Sequence, residues 1–311
     1  MTIRVLIVGT GRICREYIKC LNNLSIPADI LGRKKSTALN LQKETKKRVF
    51  WSIDDLISEN IYYSHAIIAV PIEESVNSTL LVIEKVGIKS ILAEKPGAID
   101  SEGLGKIIKY AELKNVDVFV AYNRRFFDSV LMAKDIVQDE GLKNLKVIFN
   151  EAIDKIPFTK FTQSVLDNWV QANASHVIDI GLLLGGIPIE LNGETYGENV
   201  FWRDRPAKFN YIGIGPQEAK LEFTADWHYP GSWEIFFKTN NGSYVLSPLE
   251  VLQKLNHPYA PVTIIKTEAD NFKPGFMKQV SFFVNGQWEQ LLSVQKQQAN
   301  MRIYEHINSP K

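Results

Sequence analysis

The chain has 311 residues, 45% of them hydrophobic and 23% charged, an ordinary globular composition and enough length for two domains rather than one core. A net charge of +1, with the basic residues spread along the chain, gives no case for a nucleic-acid surface or an acidic membrane. The run Lys43, Lys46, Lys47 and Arg48 reads as a solvated helix face. Two cysteines are too few for a disulfide framework, and no apolar run reaches the roughly 20 residues of a membrane span. Nothing at the start resembles a secretory leader, so a cytoplasmic location is expected.

Short apolar runs alternate with longer amphipathic ones over residues 1–122. Strands are predicted at Ile3–Val8, Ala28–Leu31, Val49–Trp51, His65–Val70, Lys89–Ala93 and Val116–Ala121. Helices are predicted between them at Arg12–Leu24, Thr37–Thr45, Glu73–Val86 and Glu102–Lys114. Near-continuous Val/Ile/Leu strands separated by helices predict a doubly wound parallel sheet, a Rossmann domain. Residues 123–311 read as a second α/β domain. Its predicted elements are a helix over Phe127–Gln138, a strand over Leu145–Ala152 and one long helix over Asp167–Leu184. An antiparallel meander is expected over Leu191–Val245, and helices are expected near Pro274–Val284 and Gln287–Ile307. In Leu221, Phe223, Ala225 and Trp227 the apolar residues fall at every second position, the spacing of a sheet with one buried face.

The turn after the first strand is Gly9-Thr10-Gly11-Arg12-Ile13-Cys14. Gly9 permits a tight turn, Gly11 lets backbone N–H groups approach a pyrophosphate, and the helix N-terminus favours negative charge. After the second strand an NAD site usually carries an acidic residue for the ribose hydroxyls. Here the stretch is Leu31-Gly32-Arg33-Lys34-Lys35-Ser36, and Asp29 lies inside the strand. Arg33, Lys34 and Ser36 suit a 2′-phosphate, so NADP is preferred over NAD.

The fifth predicted strand runs into Glu94-Lys95-Pro96, at the edge of a sheet where ligands bind. A lysine there can donate a proton to a substrate oxygen. With Gly9-Thr10-Gly11, Ala69-Val70-Pro71, Tyr122-Asn123-Arg124-Arg125-Phe126 and Ser175-His176-Val177-Ile178-Asp179, the sequence resembles the glucose-fructose oxidoreductase, inositol dehydrogenase and MocA family over nearly its whole length. The resemblance extends the meander to an open, mainly antiparallel sheet, and implies hydride transfer between a nicotinamide and a carbinol or keto carbon of a sugar or nucleotide sugar. It implies Lys95 and His176 as the catalytic pair. It also implies a cofactor site of Gly9, Thr10, Gly11, Arg12, Ile13, Arg33, Lys34, Ser36, Val70, Pro71, Glu94, Lys95 and Asn123. The substrate residues expected are Lys95, Tyr122, Asn123, Arg124, Trp169, Asn173, His176 and Asp179. Three departures from the family pattern stand out: Ala172 where an aspartate is common, Ser75 where a histidine is common, and Cys14 in place of a small glycine or alanine. The Asn173-Ala174-Ser175-His176 form resembles a subset of enzymes that modify sugars in polysaccharide biosynthesis. A homodimer or homotetramer through the C-terminal sheet is implied as well.

His65, His228, His257 and His306 have no ligand-like companions, so no metal site is expected. Two rival readings keep the fold: a non-catalytic regulator that binds dinucleotide and sugar, and a reductase of a non-sugar substrate. The first is disfavoured by the intact lysine and histidine. The second would call for an apolar pocket.

Overall fold

In the computed structural model the described residues are 3–256, 259–267 and 271–309, and they fall into two compact units. The first holds residues 3–123 and 271–298; the second holds residues 124–267 and 299–309. The segment 271–298, expected in the second domain, returns to the first unit.

In the first unit the elements follow the chain as β1 (Val5–Val8), α1 (Arg12–Asn23), β2 (Ala28–Leu31), α2 (Lys35–Thr45), β3 (Val49–Phe50), α3 (Ile53–Ser58), β4 (His65–Ile68), α4 (Ile72–Lys85), β5 (Ser90–Glu94), α5 (Ser101–Lys114) and β6 (Asp117–Ala121). The central strands are buried at every position, as their unbroken Val/Ile/Leu runs require in a sheet covered on both faces. The seven-stranded sheet has the order Leu292–Ser293, β6, β5, β4, β1, β2, β3. All pairs are parallel except at one edge, where Leu292 lies opposite Val120 in antiparallel register. The order reverses between β1 and β4, so the crevice of this doubly wound sheet opens at the carboxyl ends of those two strands. The edge strand Leu292–Ser293 falls inside a segment read from sequence as helix; the helix itself starts at Val294. Trp51 also differs from expectation, for β3 ends at Phe50.

α1 shows how these helices form. Cys14, Tyr17, Ile18 and Leu21 recur at helical spacing and are buried, and Cys20 is buried as well. Tyr17 meets Phe276 of helix Phe276–Val284 with ring centroids 5.2 Å apart. The same helix sets Phe283 edge-on to His65 at 5.1 Å. His65 is nearly enclosed, and burial, helped by Lys89, pushes its imidazole down to about 4. An unfolded histidine titrates near 6.5, so between about pH 6.5 and 4 the unfolded chain binds the extra proton. Stability is therefore present above that window and falls by roughly 2–3 kcal/mol as pH drops through it. The same acid titration on His65→Gln, followed by thermal melting, should lose most of this slope. An unchanged slope would assign the acid sensitivity elsewhere.

The second unit begins with α6 (Asp128–Glu140) and β7 (Leu142–Phe149), then α7 (Gln163–Asp167) and α8 (Ser175–Gly185). Its strands follow as β8 (Glu190–Val200), β9 (Arg203–Ile214), β10 (Lys220–Asp226), β11 (Trp233–Thr239), β12 (Ser243–Leu246), β13 (Val251–Lys254) and β14 (Val262–Lys266). They form an eight-stranded sheet ordered β14-β13-β12-β11-β7-β10-β9-β8, antiparallel throughout except for the pair β7–β10. The alternation read in Leu221–Trp227 is realised, with Leu221, Phe223, Ala225 and Trp227 buried. α8 lies on this face, and Gly181 sits so close to β7 that an added Cβ would crowd Val147. The single helix expected over Asp167–Leu184 is instead broken. α7 ends at Asp167, a wider π-type turn spans Val170–Ala174, and α8 resumes at Ser175. Such a turn displaces side chains from their regular flank and is often found at functional sites.

Candidate functional site

In the first unit, a cleft of about 670 Å³ lies at the carboxyl ends of β1, β2 and β4. Gly9 donates its N–H to the Leu31 carbonyl at 2.8 Å and has φ +122°. A Cβ there would clash with the Ala69 carbonyl, 2.8 Å from its carbon, so only glycine closes this turn. Over Gly11 the space is open, with nothing within 4 Å of a virtual Cβ. Gly11 caps α1 without a side-chain acceptor, so the first N–H groups of a twelve-residue helix face that space. A tight turn, an open approach and an unsatisfied helix N-terminus fit the pyrophosphate of a dinucleotide. Gly9→Ala should cost at least about 2 kcal/mol through backbone strain and the carbonyl clash. The readouts are the melting temperature and a fluorescence titration with NADPH; a stable variant that binds normally would refute the turn's role.

Gly9, Thr10, Gly11, Arg33, Lys34, Val70 and Pro71 line this cleft. Arg12 and Ile13 do not; they border a separate groove of about 370 Å³ with Glu16 and Lys19. Ser36 lies exposed on α2 and outside the lining, where Thr37 takes its place and shares a hydroxyl contact of 3.3 Å with Thr10. Trp51, Glu74, Asn77 and Ser78 also line the cleft and were not read from sequence. The strand-end position of Trp51 was the one available signal. Asp29 is occupied elsewhere, accepting from Arg4 at 2.9 Å and Tyr63 at 2.8 Å.

β5 delivers Glu94 and Lys95 to the same edge of the sheet, though neither lines the cleft. Tyr17 donates its hydroxyl to Glu94 at 2.5 Å. Burial holds the Glu94 carboxyl above its usual range, and Tyr17, Lys273 and Lys95 pull it back. Gln297 donates to the Pro96 carbonyl at 3.0 Å and to the Tyr122 hydroxyl at 3.2 Å, which pins the backbone just beyond Lys95. Tyr122 is thereby a buried core residue beside Val120 and Leu292 rather than a cavity-lining one. Asn123 is likewise buried, donating to the Pro274 carbonyl at 2.9 Å.

The second unit has its own cavity, of about 480 Å³, with Phe161, Trp169 and Trp233 among its walls and Glu151, Lys155 and Asn173 among its polar groups. Trp169 and Asn173 were expected in a substrate site. Asn173, carried on the π-type turn, donates its amide to both oxygens of the buried Glu151, at 3.2 and 2.9 Å. Glu151 follows the end of β7 and was missed because no motif surrounds it. The guanidinium of Arg124 lies 4.8 Å over the Trp233 ring, and the His176 ring is 6.0 Å from it. Burial lowers the Arg124 pKa to about 10, against the pull of Glu250 and Glu151. Asp179 is fully buried and takes two 2.7 Å hydrogen bonds from Arg125 and one of 3.2 Å from Asn300. It sits in an ion pair, not in the cavity wall. Asn173 lies on the π-type turn, whereas His176 and Asp179 both lie on α8.

Among the described residues no three His, Cys, Asp or Glu side chains gather as a metal site, and no helix is long and apolar enough to cross a membrane.

Residues 3–122 match the model of the oxidoreductase family with an NAD-binding Rossmann fold named for glucose-fructose oxidoreductase, inositol dehydrogenase and MocA. No curated protein matches by sequence. Among solved structures, an oxidoreductase from Agrobacterium radiobacter in complex with NAD+, L-tartaric acid and magnesium superposes with a TM-score of 0.80. It is 11% identical, over 98% of this chain and 95% of that one. UDP-N-acetylglucosamine 3-dehydrogenase from Acidithiobacillus ferrooxidans gives 0.79 at 13% identity, over 99% and 97%. Aldose-aldose oxidoreductase from Caulobacter crescentus, complexed with glycerol, also gives 0.79 at 13% identity, over 99% and 96%. At such identities the likeness is one of fold.

Proposed function

We propose that the chain, whose residues 3–122 match the NAD-binding oxidoreductase family, moves a hydride between a nicotinamide dinucleotide and a carbinol or keto carbon of a sugar or nucleotide sugar, intermediates of polysaccharide synthesis among them. The observation that carries the reading is the glycine turn with its open helix N-terminus, on a sheet whose β5 ends at Glu94 and is followed by Lys95. Gly9, Thr10 and Gly11 would hold the pyrophosphate, and Val70 and Pro71 the opposite wall. A bound nicotinamide supplies the hydride acceptor or donor. Lys95 gives a proton to the carbonyl oxygen in reduction and takes the hydroxyl proton in oxidation, with His176 assisting.

NADP is the preferred form. Arg33 and Lys34 line the cleft where an NAD site would present a carboxylate, and Asp29 is already committed to Arg4 and Tyr63. A sugar ring suits a cavity with indole walls and the polar Glu151, Lys155 and Asn173. The exposed Tyr196, Ile212 and Ile214 on β8 and β9 support self-association through this sheet, in a cytoplasmic homodimer or homotetramer. The function is tested by incubating the purified chain with NADPH and a panel of keto-sugars and nucleotide keto-sugars, watching the dihydronicotinamide absorbance. Turnover with members of that panel is expected. Consumption only with apolar imines or open-chain ketones would move the substrate class.

A further inference from the structure

The cleft of the first unit carries an ion pair that the proposed reaction does not use. Arg33, just beyond β2, reaches Glu74 of α4 with 2.5 Å between Nη1 and Oε1. Both residues line the cleft, with Lys34, Thr37, Asn77 and Ser78. Arg33 is two-thirds exposed and Glu74 about one-third. The guanidinium that would read a 2′-phosphate is therefore already facing a carboxylate.

We propose that Glu74 is a specificity-determining residue that weakens the preference for the 2′-phosphorylated dinucleotide, so that the chain accepts both forms. The inference rests on the dinucleotide reading above. Its physics needs only charges. A 2′-phosphate carries close to two negative charges, so it must share Arg33 with Glu74 or displace it, and Glu74 repels it in either case. A 2′-hydroxyl carries no charge and meets no such penalty. An acidic residue cannot act from position 32 instead, because a Cβ on Gly32 would lie 2.6 Å from Thr10 Cγ2. On this strand-end loop the positions after Gly32 are basic, so Glu74, contributed by α4, is the cleft-lining carboxylate that faces Arg33.

Fluorescence titrations of the full chain with NADPH and with NADH test this, on the wild type and on Glu74→Gln, Glu74→Asp and Arg33→Ala. Exposed ion pairs are worth up to about 1 kcal/mol, so Glu74→Gln should raise the NADPH-to-NADH affinity ratio about three- to fivefold. The gain should shrink in high salt. Glu74→Asp, which keeps the charge, should hold the ratio close to that of the wild type. Arg33→Ala should lower the ratio by about tenfold or more, since charge-assisted bonds to phosphate are strong. Equal changes in both affinities on Glu74→Gln, or none, would overturn the role given to Glu74 while leaving the dinucleotide site intact. Binding of neither dinucleotide to the wild type would overturn the function itself, and this inference with it. Circular dichroism on each variant separates a misfolded chain from a retuned one.

Discussion

Lys95→Met should lower kcat by about a hundred- to ten-thousandfold, with a much smaller change in KM. Methionine keeps the length and apolar stem of lysine but has no proton to give. A positioned general acid or base contributes that range because the proton moves in the transition state, and each tenfold loss corresponds to about 1.4 kcal/mol of barrier. The backbone should tolerate the change, since the Pro96 carbonyl is held by Gln297 and β5 is paired on both sides. NADPH titration and a thermal melt would confirm an intact cleft. Lys95→Arg should recover little, because an arginine side chain holds its proton too tightly to exchange it during turnover. A kcat within about threefold of the wild type would remove Lys95 from the chemistry. His176→Asn, as the assisting group, should cost less than Lys95→Met in the same assay.

The parts of this molecule that could be read from sequence are those in which local pattern and tertiary role coincide. The buried strands β1, β2, β4, β5 and β6 are apolar at nearly every position because both sheet faces are covered, and no surface strand looks like that. Gly9 was legible because its conformation and the Ala69 carbonyl admit no other residue. Other features depended on distant partners. Leu292–Ser293 is a strand only because β6 offers an open edge, and two residues carry no period of their own. The break at Val170–Ala174 lay hidden in a run that is apolar at helical spacing on both sides. Glu151, Trp233 and Glu74 are single residues on different elements, and only folding makes them cavity or cleft walls. Arg124 and Arg125 are adjacent and chemically alike, yet one lies over Trp233 and the other pairs with Asp179. Nothing in the dipeptide could say which would do which.

That last contrast yields the largest expected stability effect. The family resemblance implied a substrate pocket for Asp179, whereas the structure gives it a buried ion pair with side-chain exposures of 1% for Asp179 and 13% for Arg125. Burial raises the Asp179 carboxyl, and Arg125 and then Asn300 oppose that, so the charged form depends on its partners. Truncation in Asp179→Ala leaves a guanidinium largely out of water without its carboxylate. Breaking one side of such a pair costs about 3–5 kcal/mol, a fall in melting temperature on the order of 10 °C. Replacing both partners with apolar groups of similar shape, as in Asp179→Leu with Arg125→Met, should recover much of that loss, because the cost lies in the abandoned charge and not in the missing attraction. A pocket-lining aspartate would behave in the opposite way: Asp179→Ala would melt like the wild type and show only a raised KM. Thermal melting of the two single variants and the double variant, set against steady-state kinetics, decides between a fold-supporting pair and a substrate contact.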